Sequence, residues 1–416
     1  MLESCHGTAN AVDAYIQDHF FDPFGLMYSA IDSQRDAPFE RDFITPIKVP
    51  RRASEEPWAY WTYEDSVMSM GLYLDALVLK HKVTGDAGCL ERAATVWSTI
   101  HKIYSCSQAH GIGCFLRPYA GFEGMARFME PLGTDQASPL FSGLYRYLPY
   151  AGGAASDIRR LMLRTLEWYE RQGFQYFYYK SFIHRYEPGD PLAHHANSYY
   201  LPAIAWAARE THEDDRWERH LEERLGHFRT GGYVLCRPGG GPLAFCWGSD
   251  LPILRDLLGS KFNETFTSGL LNEAHRVLLQ DMSGWEENGT VRRICPESAE
   301  PGFEPHVDPS FDAKKDFGFA YFATRHHGRA RPRHEIDFLI ALAAVGYDRE
   351  RTAAKAAELL ALRRDVPRDF TAFLADDYHC LPETVHLYAR SVGPIMVEWW
   401  RNYWLLRWLA SNEDSE

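Results

Sequence analysis

The chain of 416 residues is short of the features that mark several large protein classes. No apolar run approaches the ~20 residues that a membrane-spanning helix needs, so no membrane insertion is expected. The opening Met1-Leu2-Glu3-Ser4-Cys5-His6 lacks the basic-then-apolar layout of a secretory signal. The expected location is therefore cytoplasmic, or periplasmic if a leader has been removed. Eight cysteines form no Cys-x-x-Cys pair and no His-rich zinc spacing, so neither a metal centre nor a redox motif is expected. There is no phosphate-binding loop, no Rossmann glycine fingerprint and no Gly-x-Ser-x-Gly elbow, and no cofactor is expected. Positive charge is also scarce. With 44 Lys and Arg against 57 Asp and Glu, the net charge of −13 argues against nucleic acid as a partner. It still permits an anionic small substrate, because a local Arg cluster outweighs the global sign. Strand-like alternation is confined to two short candidates, Gly232 to Cys236 and Phe174 to Tyr179.

What the chain does have is aromatic rings and helical periodicity. Its 12 Trp, 23 Tyr and 24 Phe suit carbohydrate recognition, in which a sugar's C–H face stacks on a ring, and equally suit helix-packing cores. Val67, Met70, Gly71, Leu74, Leu77 and Val78 trace one helical face, and Ile158, Leu161, Met162, Leu166 and Tyr169 trace another, with Gly173 as its stop. Further helices are predicted over roughly 8–20, 86–105, 139–148, 192–211, 213–228, 250–259, 263–280, 333–345, 349–363 and 383–410. Val83-Thr84-Gly85-Asp86 and Val345-Gly346-Tyr347-Asp348 each end a helix with Gly and offer Asp as the next cap. Short links of this kind make antiparallel hairpins. About twelve helices fit a closed double ring, six inner and six outer, with no linker to divide residues 1–416 into separate domains. The irregular stretches 105–135 and 282–316 are expected to gather at one end and form the site.

Two helix starts carry candidate acids. Ser138-Pro139 reads as an N-cap and first helical residue, which leaves Asp135 just ahead of the helix and facing its positive end. Thr62-Tyr63-Glu64-Asp65 matches a capping box with Asp65 at its third position, so Asp65 is either a cap residue or an acid. Trp58, Tyr60 and Trp61 precede it, and a carboxyl among apolar rings and a second carboxyl has its pKa raised. Two such groups are what cleavage of a glycosidic bond requires. Arg117 and Arg146 are the cations near Asp135 in sequence. On the predicted helix 192–211, His195 shares a face with Tyr199, and His194 with Asn197. Trp247-Gly248-Ser249-Asp250 and Ser283-Gly284-Trp285 read as rim loops whose tryptophans are either sugar platforms or core. His326 to Arg333 reads as a solvated basic loop, and Trp399 to Trp404 as core.

The chain resembles the six-hairpin glycosidases, the (α/α)6 toroids that include unsaturated uronyl hydrolases and related β-glucuronidases. The likeness rests on Glu64-Asp65-Ser66-Val67-Met68 running through Leu74, Ala76 and Leu77 to Thr84-Gly85-Asp86. It rests equally on Thr134-Asp135-Gln136 leading to Pro139-Leu140-Phe141 and Gly143-Leu144. Together these cover about the first third of the chain. The resemblance implies an all-α (α/α)6 toroid of six helical hairpins with minor short β pieces in loops. It also implies that Asp135 acts as general acid/base with Asp65 as its partner. Where the family often has a second acid after the first, this chain has Gln136.

The expectation is thus a glycoside hydrolase, of β-glucuronidase or unsaturated uronyl hydrolase type, acting on acidic, uronic-acid-containing oligosaccharides. Arg117 or Arg146 is expected to pair with the substrate carboxylate. His195, Asn197, Tyr199 and Gln136 are expected to bind hydroxyls or support the site, and Trp61 and Trp247 to offer stacking faces. Three alternatives stay open: a polysaccharide lyase eliminating through His195 and Tyr199, a sugar epimerase or isomerase supported by His275, His334 and His386, and a carbohydrate-binding toroid without turnover.

Overall fold

A computed structural model describes residues 2–44, 57–178, 182–185, 193–211, 214–235, 247–288, 334–361 and 390–411. The fold is all-α, with short two-stranded β pieces. In chain order the elements are α1 (His6–His19), β1 (Ile31–Asp32), α2 (Arg41–Ile44), α3 (Pro57–Tyr63), α4 (Ser66–Thr84), α5 (Ala87–Ala109), α6 (Met125–Phe128), α7 (Thr134–Tyr147) and α8 (Ala155–Arg171). Next come β2 (Gln175–Tyr178), β3 (Phe182–Arg185), α9 (Ala193–Glu210), α10 (Asp215–Arg229), α11 (Trp247–Leu258), α12 (Ser260–Thr265) and α13 (Ser268–Asn288). The last are α14 (His334–Ala344), α15 (Arg349–Ala361), β4 (Ser391–Val392) and α16 (Pro394–Ser411).

The helix boundaries follow from local chemistry. Gly85 takes a left-handed conformation (φ 73°) that ends α4, and the Asp86 side chain then accepts the Gly88 N–H to cap α5. Gly173 (φ 68°) closes the turn after α8 in the same manner. The predicted β candidate beginning at Phe174 is realised as the hairpin of β2 and β3, with Gln175 opposite Arg185. The other candidate, Gly232 to Cys236, is no strand: bends run through Gly232–Leu235, and Cys236 lies outside the described residues. The last helix starts at Pro394 rather than near 383. A short β1–β4 pairing, Ile31 with Val392, precedes it, and 383–389 lies outside the described residues.

Neighbour relations organise the bundle. α4 packs on α7, α7 on α9, α9 on α11, α11 on α14, α14 on α16, and α16 returns to α4. Five of these six helices have a partner from a second set: α5 against α4, α8 and α10 against α9, α12 against α11, α13 and α15 against α14, and α1 against α16. One apolar cluster runs through both sets, from Cys5 to Leu409. Trp399, Trp400, Tyr403 and Trp404 are buried in it, as the sequence predicts. Among the described residues, no helix is long and apolar enough to cross a membrane.

α4 and α7 approach backbone to backbone, and glycine makes it possible. A Cβ on Gly71 would lie 2.5 Å from the backbone nitrogen of Leu140, and one on Gly143 would collide with the carbonyl oxygen of Gly71. With no side chain at either crossing point, the two backbones touch and their N-terminal ends are drawn together. Those ends carry Asp65 and Asp135.

Candidate functional site

The α3–α4 junction is pinned by a segment from far earlier in the chain. Ser29 N–H donates to the Thr62 carbonyl (2.6 Å), Asp65 N–H donates to Ser29 Oγ (2.5 Å), and Ser66 O–H donates to the Met27 carbonyl (2.5 Å). This corrects the capping-box expectation. Thr62 belongs to the preceding helix α3, and Asp65 stands at the N-cap of α4 yet makes no capping hydrogen bond with its side chain. Its Oδ1 instead accepts the Gln136 amide N–H from across the helix pair, at 2.9 Å. The same Gln136 nitrogen donates to the Glu64 carbonyl at 2.8 Å. Gln136 is fully buried and acts as the strut between the two helix starts.

The start of α7 also differs from expectation. Gly133, extended at φ −77° and ψ 165°, is the N-cap, so the helix begins at Thr134 and Pro139 lies inside it. Asp135 is therefore in the first turn, where the helix dipole favours its negative charge. The chain reaches this point along a ribbon that also sets Arg117. Leu132 N–H donates to the Phe115 carbonyl (3.1 Å), and Arg117 N–H donates to the Glu130 carbonyl (2.7 Å). Ser107 of α5 accepts the Leu116 N–H (2.8 Å) and Tyr169 of α8 donates to the Leu132 carbonyl (2.7 Å), anchoring the ribbon to two helices.

Glu64 is the residue that the sequence reading passed over. Arg117 Nη1 donates to its Oε1 at 2.8 Å, and Tyr60 hydrogen-bonds to it as well. About 15% of its side chain reaches solvent, while the Arg117 side chain is buried. Burial is the main force pushing the Glu64 carboxyl up to about 8, and the Asp65 charge adds to it. Arg117 and the Tyr60 bond pull the other way, and the Asp135 charge pushes upward again. Glu64 thus senses both aspartates, which places all three carboxyls in one electrostatic neighbourhood. Tyr60 stacks on Tyr119 (5.9 Å, 20°), and Phe128 meets Tyr119 edge-on, giving the cluster an aromatic flank.

Several expected site residues stand elsewhere. Arg146 lies eleven residues beyond Asp135 on α7, roughly 16 Å along the helix axis. There it is buried against Asp75 of α4 (Nε–Oδ1 2.7 Å) and lies over the Trp408 ring, so it is a core ion-pair residue rather than a substrate clamp. Tyr199 is buried between Tyr169 and Phe141, and burial drives its phenol well above the usual range; it is core. Asn197 is buried with its amide oxygen on Arg224 of α10 (2.7 Å), so it is committed to helix packing. Trp247 is fully buried in the first turn of α11 rather than in a rim loop. Trp61 is buried and its indole N–H donates to Ser391 Oγ at 3.0 Å, a tie between chain regions rather than a stacking platform. His195 belongs to the first turn of α9 with its side chain outside the described residues. Trp285 lies on α13, its side chain also outside them, and His326 to Arg333 lies outside them entirely. Of the histidines invoked for isomerisation, His275 is buried on α13, the His334 side chain is not described, and His386 is outside.

Deeper in the bundle lies a second polar cluster that the sequence reading did not anticipate. Asp75 also accepts the Ser249 O–H (2.7 Å), Arg401 of α16 donates to Ser249 and to Asp337 of α14, and Ser138 and Ser142 of α7 both donate to Asp250. Among the described residues no His, Cys, Asp and Glu group has the arrangement to hold a metal ion. Compared with known proteins, the chain matches no family model and no curated protein.

Proposed function

We propose that the protein is a glycoside hydrolase acting on uronic-acid-containing oligosaccharides, with the carboxyl groups at the starts of α4 and α7 as its acid machinery. The observation that carries this reading is the Gln136 strut to Asp65, with Glu64 sensing the charges of both Asp65 and Asp135. Glycosidic cleavage needs one carboxyl that holds its proton beside another that does not, and this end of the bundle sets Asp65 and Asp135 around Glu64, whose carboxyl is raised. Asp135 is the proton donor and Asp65 its partner, either assisting directly or orienting water. Glu64, held by Arg117 and Tyr60, sets the local field. Among the described residues Arg117 is a cation at this end, buried on Glu64, and pairing with a substrate carboxylate requires it to share or exchange that bond. The neighbour cycle of α4, α7, α9, α11, α14 and α16, all but α7 with an outer partner, supports the (α/α)6 toroid as the frame.

The lyase alternative draws less support, because Tyr199 is packed in the core and Asn197 is engaged with Arg224. One absorbance experiment separates the chemistries. Elimination creates an ultraviolet-absorbing double bond, hydrolysis of a saturated chain leaves the absorbance unchanged while releasing sugar, and removal of an unsaturated uronyl end bleaches it. The reading expects sugar release or bleaching that vanishes in Asp135→Asn. Near-normal turnover in that folded variant overturns it.

A further inference from the structure

Below the acid site sits a carboxyl that the proposed chemistry leaves unused. Asp250, in the first turn of α11, is fully buried, and each of its oxygens receives a serine hydroxyl from α7, one from Ser138 and one from Ser142. Ser138 follows Asp135 by three residues and Ser142 follows Ser138 by four, so both hydroxyls stand on the stripe directly beneath the acid-bearing turn. That turn needs outside support. Pro139 lies within it and has no N–H to give, so the helical ladder is one bond short there. Without Asp250, the Ser142 hydroxyl would fall back on the Ser138 carbonyl, which it already approaches at 3.2 Å. We infer that Asp250 is a positioning residue for the acid site: through Ser138 and Ser142 it clamps the first turns of α7 to α11 and so fixes where Asp135 and Gln136 stand.

The clamp holds a proton more readily than an ordinary carboxylate does. Charges and titratable groups face Asp250 from several helices: Arg401 from α16, Asp75 from α4 and Tyr199 from α9, with Asp337 of α14 reaching it through Arg401. Burial outweighs the two hydroxyl bonds and the Arg401 charge, and pushes the Asp250 carboxyl up to about 8, with Asp75 adding to the push. With both hydroxyls donating, Asp250 accepts twice. Once the carboxyl takes up a proton it offers one donor and one acceptor, as an asparagine amide does, and one serine turns from donor to acceptor. The clamp itself stands apart from the hydrolase reading; only its consequence for turnover rests on that reading.

The test reads the turn directly, by amide hydrogen exchange on the full chain near neutral pH. Asp250→Ala is expected to raise exchange across 134–142 by roughly tenfold or more while α5 stays as in the wild type, and Asp250→Asn to stay within about twofold of wild type. Unchanged exchange in the alanine variant, or an equal rise in α5, overturns the inference, as does an asparagine variant that exchanges like alanine. Should Asp250→Ala fail to fold, Ser138→Ala combined with Ser142→Ala removes only the two hydroxyls and carries the same expectation. A second arm compares thermal unfolding of wild type and Asp250→Asn from mildly acidic to mildly alkaline pH. A carboxyl whose folded-state affinity for the proton is raised stabilises the fold below its unfolded pKa, and that contribution is lost as pH rises through the folded value. The wild type should therefore lose ground to Asp250→Asn on going alkaline; a difference that does not move with pH overturns the raised proton affinity of Asp250.

Discussion

The acid site and the deeper polar cluster draw on the same residue types and use them in opposite ways. In the deeper cluster each aspartate has a matched partner: Asp75 with Arg146 and Ser249, Asp337 with Arg401, and Asp250 with two serines. At the acid site, Arg117 is the cation whose pull is set against the mutual repulsion of Glu64, Asp65 and Asp135. Matched charge in a dry interior orders helices, because removing either partner strands the other. Opposed carboxyls at a half-open helix end do little for packing and a great deal for proton affinity. Burial raises the proton affinity of Glu64 and of Asp250 alike, and each has an acidic neighbour that adds to it. Glu64 differs in that its side chain still reaches solvent, which makes it and its neighbours the chemical candidates.

The largest expected effect tests the acid half of that contrast. Under the hydrolase reading, Asp135→Asn should lower turnover of a uronic-acid disaccharide by roughly 100- to 10,000-fold. It should leave the unfolding temperature nearly unchanged. A variant that loses stability and activity together would move Asp135 into the structural class. The converse belongs to Arg146. Arg146→Met leaves Asp75 buried without its guanidinium and should cost about 3–5 kcal/mol in chemical denaturation, the range for breaking a buried pair. If the loss is under about 1 kcal/mol, the pair behaves like a surface ion pair and the contrast fails.

Gly71→Ala probes the link between the two regions. Its Cβ would meet the Leu140 backbone at 2.5 Å, so α4 and α7 must separate. The expected cost is about 1–3 kcal/mol or more from over-packing, with a fall in activity because Gln136 can no longer span to Asp65. A stable variant with wild-type activity would show that the helix crossing does not set the site.

Much of this was legible in the sequence, and the misses share a cause. Glycine stops such as Gly85 and the apolar stripe of α8 are local signals, and the corresponding helices appear within a few residues of expectation. Ser138-Pro139 imitates a cap and first residue and so predicts too late a start for α7; in the fold Ser138 gives its hydroxyl to Asp250, a long-range partner. Glu64 went unnoticed for a similar reason. Thr62 to Asp65 looks like a capping box until Ser29 and Met27, brought in from another part of the chain, take over the backbone groups of that junction. Arg146 shares a helix with Asp135, and periodicity tells which face a residue occupies, not how deep along the bundle it sits.

A smaller effect is read from pH. The Glu64 carboxyl is pushed up to about 8, well above the usual carboxylate range, so its contribution to stability is full at acid pH and is lost as pH rises toward and through the folded value. Glu64→Gln keeps the shape and removes the titration. Its unfolding temperature should therefore fall less than that of wild type between weakly acidic and weakly alkaline buffer. Parallel curves for the two proteins would show that Arg117 keeps Glu64 ionised throughout, and would move Glu64 into the class of matched pairs.

Trp61 gives the smallest expected effect and a sharp test of placement. It stands two residues before Tyr63, in the motif that leads to Glu64 and Asp65, where a stacking face for a sugar is plausible from sequence alone. In the fold its indole N–H reaches Ser391, 330 residues on, beside the β1–β4 pairing, and its ring joins Ala30, Phe39 and Ile44 in a small apolar cluster. Trp61→Phe retains an aromatic face but drops the N–H. As a structural tie it should cost about 1 kcal/mol, the worth of one hydrogen bond, with KM unchanged. As a sugar platform it would show the reverse, a raised KM with little change in stability, because the smaller ring would still fill the core while offering the sugar less surface.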